Sequence, residues 1–308
     1  MNIDINYFNP ANMRPGSVVL IVGRRGSGKS TLAKDIMSFQ RHCKRGICVS
    51  ATEKANPFWK DCIPSCFIRN EYSDSVTKEL FNMQKKVKKK LGYLEDAFAI
   101  YDDCMFDRSF MKSKLTRRVF MNGRHQRIFT LVTAQWIMDV PPDLRANVDY
   151  TIVLRDNIRA NRERVYKYFA GMFPTFAAFD EVMQQCTQDR EALVIDQGCL
   201  SYNISDSIFF YRATPDLKFR ICSDEYWDFS KGKGAFRPGG GGGGDSDDDD
   251  DSDGPAAGRE YVNVRKKYPQ AAPDHDVSPP RLTENGGATG GYGKRYRSLL
   301  DRSRYSGR

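Results

Sequence analysis

The 308 residues hold 48 Lys and Arg against 39 Asp and Glu, a net charge of +9, with 40% apolar residues and eight cysteines. This is ample material for one large domain or two small ones. No run of 18 apolar residues exists and MNIDINYFNP has no basic, apolar leader, so the chain is predicted soluble, without secretion signal or stable membrane insertion. The cysteines lack a CxxC pair, which favours free thiols in a reducing compartment; Cys43, Cys48, Cys62 and Cys66 with His42 fit no familiar zinc spacing.

Residues 1–17 read as an approach segment in which Pro10 and Pro15 discourage regular structure. VVLIV, at 18–22, then reads as a buried parallel strand, and GRRGSGKS follows it. This fits the phosphate-loop (Walker A) template, with Gly23, Gly28, Lys29 and Ser30 in register. Thr31 opens an amphipathic helix with Leu32, Ile36 and Phe39 at helical spacing. Strand, glycine loop and helix therefore occur in the order that phosphate binding requires. Backbone N–H groups of Gly23, Arg24, Arg25, Gly26, Ser27, Gly28, Lys29, Ser30 and Thr31 would cradle phosphate oxygens beside a positive helix end. Lys29 would reach the β and γ phosphates, and the Ser30 hydroxyl would ligate Mg2+.

ICVS, at 47–50, is a second candidate strand, and a short one is expected near 66–68. Asp74 starts a predicted helix to about Leu91, with Val76, Leu80, Met83 and Val87 on one face; its KKVKKK end, 85–90, reads as solvated surface or as a nucleic-acid contact. The strand AFAIY, 97–101, delivers Asp102 and Asp103 at its carboxyl end, where ligands bind in open parallel sheets. Asp102 is expected on Mg2+ and Asp103 on the attacking water.

A helix at 116–122 leads to a fourth strand, 128–133, with Gln135 at its tip as a neutral amide able to sense the γ phosphate. Arg124 lies just before that strand, either as a surface residue or as an arginine offered to a neighbouring subunit's nucleotide. DYTIVL, 149–154, is a fifth strand, and a basic helix follows with Arg155, Arg159, Arg162, Arg164 and Lys167, either tracking a phosphate backbone or merely solvated. Helical spacing recurs over 176–185. Residues 192–196 and 207–212 read as antiparallel strands added at a sheet edge.

Composition changes after Ser230. Residues 231–308 hold 16 of the 25 glycines, six of them in a run from Gly239, and seven aspartates between Asp245 and Asp253. The expected organisation is a P-loop ATPase domain over 1–230 and a disordered tail over 231–308, Gly/Asp-rich and then basic. The fold class is α/β, a P-loop NTPase of RecA-like (ASCE) type with a mainly parallel central sheet between helices.

These motifs together resemble the genome-packaging ATPases of nucleocytoplasmic large DNA viruses, the poxvirus-type branch of the HerA-FtsK superfamily. GRRGSGKS, FAIYDD, NGRHQRI, LVTAQ, PPDLRANVDYTIVLR, LVID, SIFFYRA and FRICSDEYW carry the likeness over about residues 18–229. It implies a homo-oligomeric ring that spends ATP with Mg2+ to move double-stranded DNA into a preformed capsid. Lys29 and Ser30 would sit on nucleotide and metal, Asp102 on Mg2+, with Asp103 and Gln135 catalytic and Arg124 the finger in trans. It further implies capsid or inner-membrane vertex partners and work in the host cytoplasm, at the viral factory, and in the virion. One departure stands out: related cellular motors carry Asp-Glu where this chain has Asp102-Asp103. Competing readings of the same residues are a P-loop nucleotide or polynucleotide kinase, a helicase or translocase of the same superfamily outside packaging, and a scaffold that uses ATP only to assemble.

Overall fold

In the computed structural model, which describes residues 2–105, 107–232 and 263–268, strands and helices alternate through most of the chain. In order they are β1 (Asn2–Tyr7), β2 (Val18–Val22), α1 (Lys29–Ser38), β3 (Arg45–Ser50), β4 (Ile68–Arg69) and α2 (Asp74–Leu91). Next come β5 (Ala97–Asp102), α3 (Arg108–Lys112), α4 (Lys114–Asn122), β6 (Ile128–Ala134), α5 (Pro142–Arg145) and β7 (Tyr150–Val153). The last are α6 (Arg159–Phe169), α7 (Phe176–Cys186), β8 (Glu191–Asp196), β9 (Ile208–Arg212), α8 (Asp224–Gly232) and β10 (Asn263–Lys267).

The strands form a single sheet in the order β10-β1-β9-β8-β7-β2-β6-β5-β3-β4. β2 pairs in parallel with β6 on one side and β7 on the other, and all five of its residues are buried. An unbroken apolar strand is what a parallel sheet covered on both faces requires. Successive side chains point to opposite faces, so the strands divide their residues between two cores. Val18, Leu20, Ala99 and Tyr101 pack with Leu80, Val119, Val165 and Phe179 from α2, α4, α6 and α7. Val19, Ile21, Phe98 and Ile100 pack with Leu32 and Ile36 of α1 and with Trp59.

The helices and strands expected from 18 to 212 form close to their predicted bounds, and the α/β class holds. All eight cysteines are free thiols. Three expectations are corrected. Residues 1–17 are not irregular throughout: β1 pairs in parallel with β9 and β10, and its alternating Ile3 and Ile5 are buried. Pro10 and Pro15 lie beyond the strand, and its partners come from residues more than two hundred positions away. β8 and β9 do not form the edge, because β1 and β10 continue the sheet past them; β8 alone runs against the others. Within the stretch assigned to a disordered tail, Asn263–Lys267 forms β10; the Gly/Asp run and the basic end lie outside the described residues.

Candidate functional site

Because β2, β5 and β6 are parallel, their carboxyl ends share one rim, and that rim carries the chemistry. The loop from Gly23 to Gly28 joins β2 to α1. Gly26 and Gly28 have φ of 73° and 95°, the left-handed region that glycine enters without strain, and a Cβ at either would meet nothing within 4 Å. The space beside both glycines is therefore open. Gly23 is glycine for another reason, since a Cβ there would lie 2.6 Å from Ser27 Oγ and 2.9 Å from Leu154 Cβ.

Lys29, 8% exposed, opens α1 and turns its ammonium back into the loop, where Nζ donates to the carbonyls of Gly23 (2.7 Å) and Arg24 (2.9 Å). Burial pulls its pKa below the ordinary lysine value, against the opposing pull of Asp103 and Asp102. An ammonium desolvated in this way favours any added anion.

β6 lies between β2 and β5, so the acidic pair reaches the loop across an intervening strand. Ser30 Oγ donates to Asp102 Oδ1 at 3.3 Å, and Thr133 Oγ1 donates to the same oxygen at 2.8 Å. Trp59 Nε1 donates to Asp102 Oδ2 at 3.0 Å. Asp102 is 2% exposed, and burial raises its pKa while the Trp59, Thr133 and Ser30 donors oppose the rise. Asp103 follows β5 directly at φ 53° and gives its N–H to Thr133 Oγ1 (2.9 Å). That turn presents its carboxylate to Gln135, whose Nε2 donates to Asp103 Oδ1 at 3.2 Å. The predicted groups Lys29, Ser30, Asp102, Asp103 and Gln135 are thus gathered at one place.

Ser30 and Asp102 offer hard oxygen donors 3.3 Å apart at the mouth of an open glycine loop, a donor set that suits Mg2+. Arg24 and Arg25 are exposed and line, with Ser27, Arg155 and Arg190, a cleft of about 440 Å3 beside the loop, in which four arginines outnumber the acids Asp189 and Glu191. Ser27 Oγ closes on the Arg24 carbonyl at 2.7 Å, and Thr31 lies in the first turn of α1.

Arg124 is not brought to this site. It lies in a short turn at the opposite end of β6, where a Cβ on Gly16 would come within 3.0 Å of its Cα. The length of β6 alone, about 20 Å, separates it from this chain's own phosphate loop. Part of the positive charge after β7 is neutralised by acids of the same chain. Arg155 precedes α6, Arg162 is paired with Asp180, and Arg159 with Glu163.

Sequence reasoning missed Trp59, Thr133 and Glu53. Thr133 sits in a strand and read as core, and Trp59 sits in a connection read as irregular. A tryptophan among polar loop residues after a strand end was the only available signal.

No family model matches the chain. An uncharacterized protein of Acanthamoeba polyphaga mimivirus is 33% identical over 222 residues, covering 69% of this chain and 78% of that protein. Another, from Invertebrate iridescent virus 6, is 32% identical over 238 residues, covering 74% and 92%. Among solved structures, the genome packaging NTPase of Sulfolobus turreted icosahedral virus 2 in complex with ATP-gammaS is 20% identical with a TM-score of 0.46. The match covers 67% of this chain and 100% of that one.

Proposed function

The chain belongs to the family that these mimivirus and iridescent-virus proteins form, and on that premise we propose that it is an ATP-hydrolysing translocase of double-stranded DNA that packages a viral genome into capsids. The observation that carries the hydrolytic part is the approach of Ser30 Oγ to Asp102 Oδ1 (3.3 Å), with Gln135 fixed on Asp103 (3.2 Å), at the mouth of the glycine loop. The packaging part is supported by the likeness of GRRGSGKS, FAIYDD and LVTAQ to the motifs of the viral packaging motors.

In this reading the loop N–H groups and Lys29 bind the triphosphate, while Arg24 and Arg25 add positive charge at the cleft. Ser30 and Asp102 would hold Mg2+, which when bound neutralises charge across the phosphates. Asp103 accepts the proton of the attacking water, and Gln135 holds the Asp103 carboxylate in place and orients that water through its amide. With the shorter aspartate in place of glutamate, the left-handed backbone at Asp103 sets where the carboxylate reaches. Arg124, remote from its own loop, would serve the nucleotide of the next subunit in a homo-oligomeric ring. Closure of that interface would shift the exposed basic groups Arg155, Arg164 and Lys167 on the DNA backbone. The ring would work in the host cytoplasm at the viral factory and in the virion, docked to capsid or inner-membrane vertex components.

The test is phosphate release from ATP by the full chain with and without duplex DNA. Stimulation by duplex DNA, with no labelled phosphate on nucleic acid, is the expected result. Label appearing on a nucleotide or a DNA end would replace the motor with a kinase, and ATP-dependent assembly without phosphate release would replace it with a scaffold.

A further inference from the structure

The loop that follows β3 makes an unusual approach to the acidic centre. Register pairs Ser50 at the end of β3 with Asp102 at the end of β5, so whatever follows Ser50 must pass close to the Asp102 carboxylate. Three residues on, the Glu53 side chain, 7% exposed, turns back as an acceptor for three successive N–H groups. These belong to Phe58 (3.0 Å), Trp59 (2.9 Å) and Lys60 (3.0 Å). A carboxylate that accepts several backbone donors holds their segment in a single conformation. From α1, the Lys34 ammonium donates to the Phe58 carbonyl at 3.3 Å and lies 4.8 Å from the centre of its ring. The fastened segment delivers the fully buried indole of Trp59 to Asp102 Oδ2.

The two oxygens of Asp102 are thereby divided. Oδ1 faces Ser30 and Thr133, the side toward the phosphate loop, while Oδ2 is occupied by the indole N–H. An indole N–H can only donate, so it favours the ionised carboxylate and fixes its rotation without competing for a cation.

We propose that Trp59, held by Glu53, is a positioning residue that aims Oδ1 of Asp102 at the metal place beside Ser30. The inference rests on the ATPase reading and extends it to a loop that no phosphate-loop motif includes. The clamp also ties that loop to α1, so the Trp59 emission is set by the same contacts that orient Asp102.

The experiment measures Mn2+ binding, by the spectroscopic signal of free Mn2+, to full-length protein in the presence of ADP, alongside ADP binding in EDTA. Trp59→Phe keeps the aromatic packing and removes the donor; Glu53→Gln keeps the volume and weakens the clamp. Both are expected to weaken Mn2+ binding, Trp59→Phe by about tenfold and Glu53→Gln less, with metal-free ADP binding unchanged. In a Trp136→Phe/Trp227→Phe background, adding Mg2+ to the ADP-bound protein is expected to change the remaining tryptophan emission. If Trp59→Phe folds and binds Mn2+ within about twofold of wild type, the inference is overturned. Should that variant fail to fold, Glu53→Gln decides by the same criterion. Wild-type protein that binds no Mn2+ and nucleotide would sink the ATPase reading and this inference together. Normal wild-type binding with unaltered variants sinks the inference alone.

Discussion

The middle of the sheet and its outer side are built on opposite principles. β7, β2, β6, β5 and β3 are all parallel, and each is followed directly in sequence by the residues it displays on the working rim. On the outer side β8, β9, β1 and β10 join segments far apart in sequence, with Tyr7 opposite Phe210 and Asn2 opposite Asn263. Their buried acid, Glu191, borders the cleft beside the phosphate loop, yet its side-chain partners all come from the outer side of the sheet. It holds Arg212, Lys266 and the Tyr268 hydroxyl, tying β8, β9 and β10 together. Charge buried in the centre is arranged to meet a ligand, whereas charge buried at the side is consumed by the fold. Besides the pairing of β8 with β7, the Tyr211 hydroxyl of β9 donates to Asp35 of α1, so the outer strands also brace the helix that carries Lys29.

Substitutions in the two regions should therefore separate activity from stability. The largest effect is expected from Lys29→Ala, a loss of ATP turnover by about a hundredfold or more with little change in the thermal midpoint. Turnover near wild type would dissolve the central site. Asp103→Asn should cost about a hundredfold in turnover while nucleotide binding stays intact, which equilibrium binding of a fluorescent ATP analogue would check. Glu191→Ala should do the reverse. It leaves the mostly buried Lys266 without its carboxylate and is expected to lower unfolding free energy by about 2–3 kcal/mol, with a smaller change in turnover per folded molecule than Lys29→Ala or Asp103→Asn gives; chemical denaturation and an assay at low temperature read the two. Equal loss of activity and stability in that variant would erase the distinction.

The smallest effect is a pH dependence ahead of β3, at the rim opposite the phosphate loop. Burial holds the His42 imidazole below its ordinary pKa, against the pull of Asp96. The unfolded chain then binds the proton more readily, so the stability tied to neutral His42 is complete above about pH 6.5 and is lost as pH falls toward the lowered folded value. Denaturation midpoints should fall as pH is lowered below about 6.5, and His42→Gln should flatten the drop. An unchanged slope in that variant would assign the effect elsewhere.

Legibility follows the same division. The phosphate loop could be read because strand, turn and helix are contiguous and each leaves a local mark: β-branched apolar residues, glycines that must take positive φ, then helical spacing. Asp102 and Asp103 could be read because they close an apolar run that is itself a strand. Thr133 was hidden, as a β-branched residue inside a strand looks like packing until a carboxylate is known to lie beside it. Trp59 was hidden further, since its partner is brought near only by the pairing of β3 with β5. β1 was missed although Ile3, Ile5 and Tyr7 alternate with polar residues, because the two prolines after it set the reading; β10, five residues in a polar stretch, has no periodic signal to outweigh composition. Their pairing energy comes from segments more than two hundred residues away.

By itself the sequence determined the phosphate loop, its lysine and serine, the acidic pair and the α/β alternation, because each depends on neighbours within one turn or one strand. Only the tertiary structure decided that β6 stands between the loop and the acids and that Arg124 lies at the far rim. It also decided that Trp59 and Thr133 fix Asp102 and that β1 pairs with strands more than two hundred residues away at one side of the sheet. Strand order and register are set by burial summed over the whole molecule, and no local window of residues contains that sum.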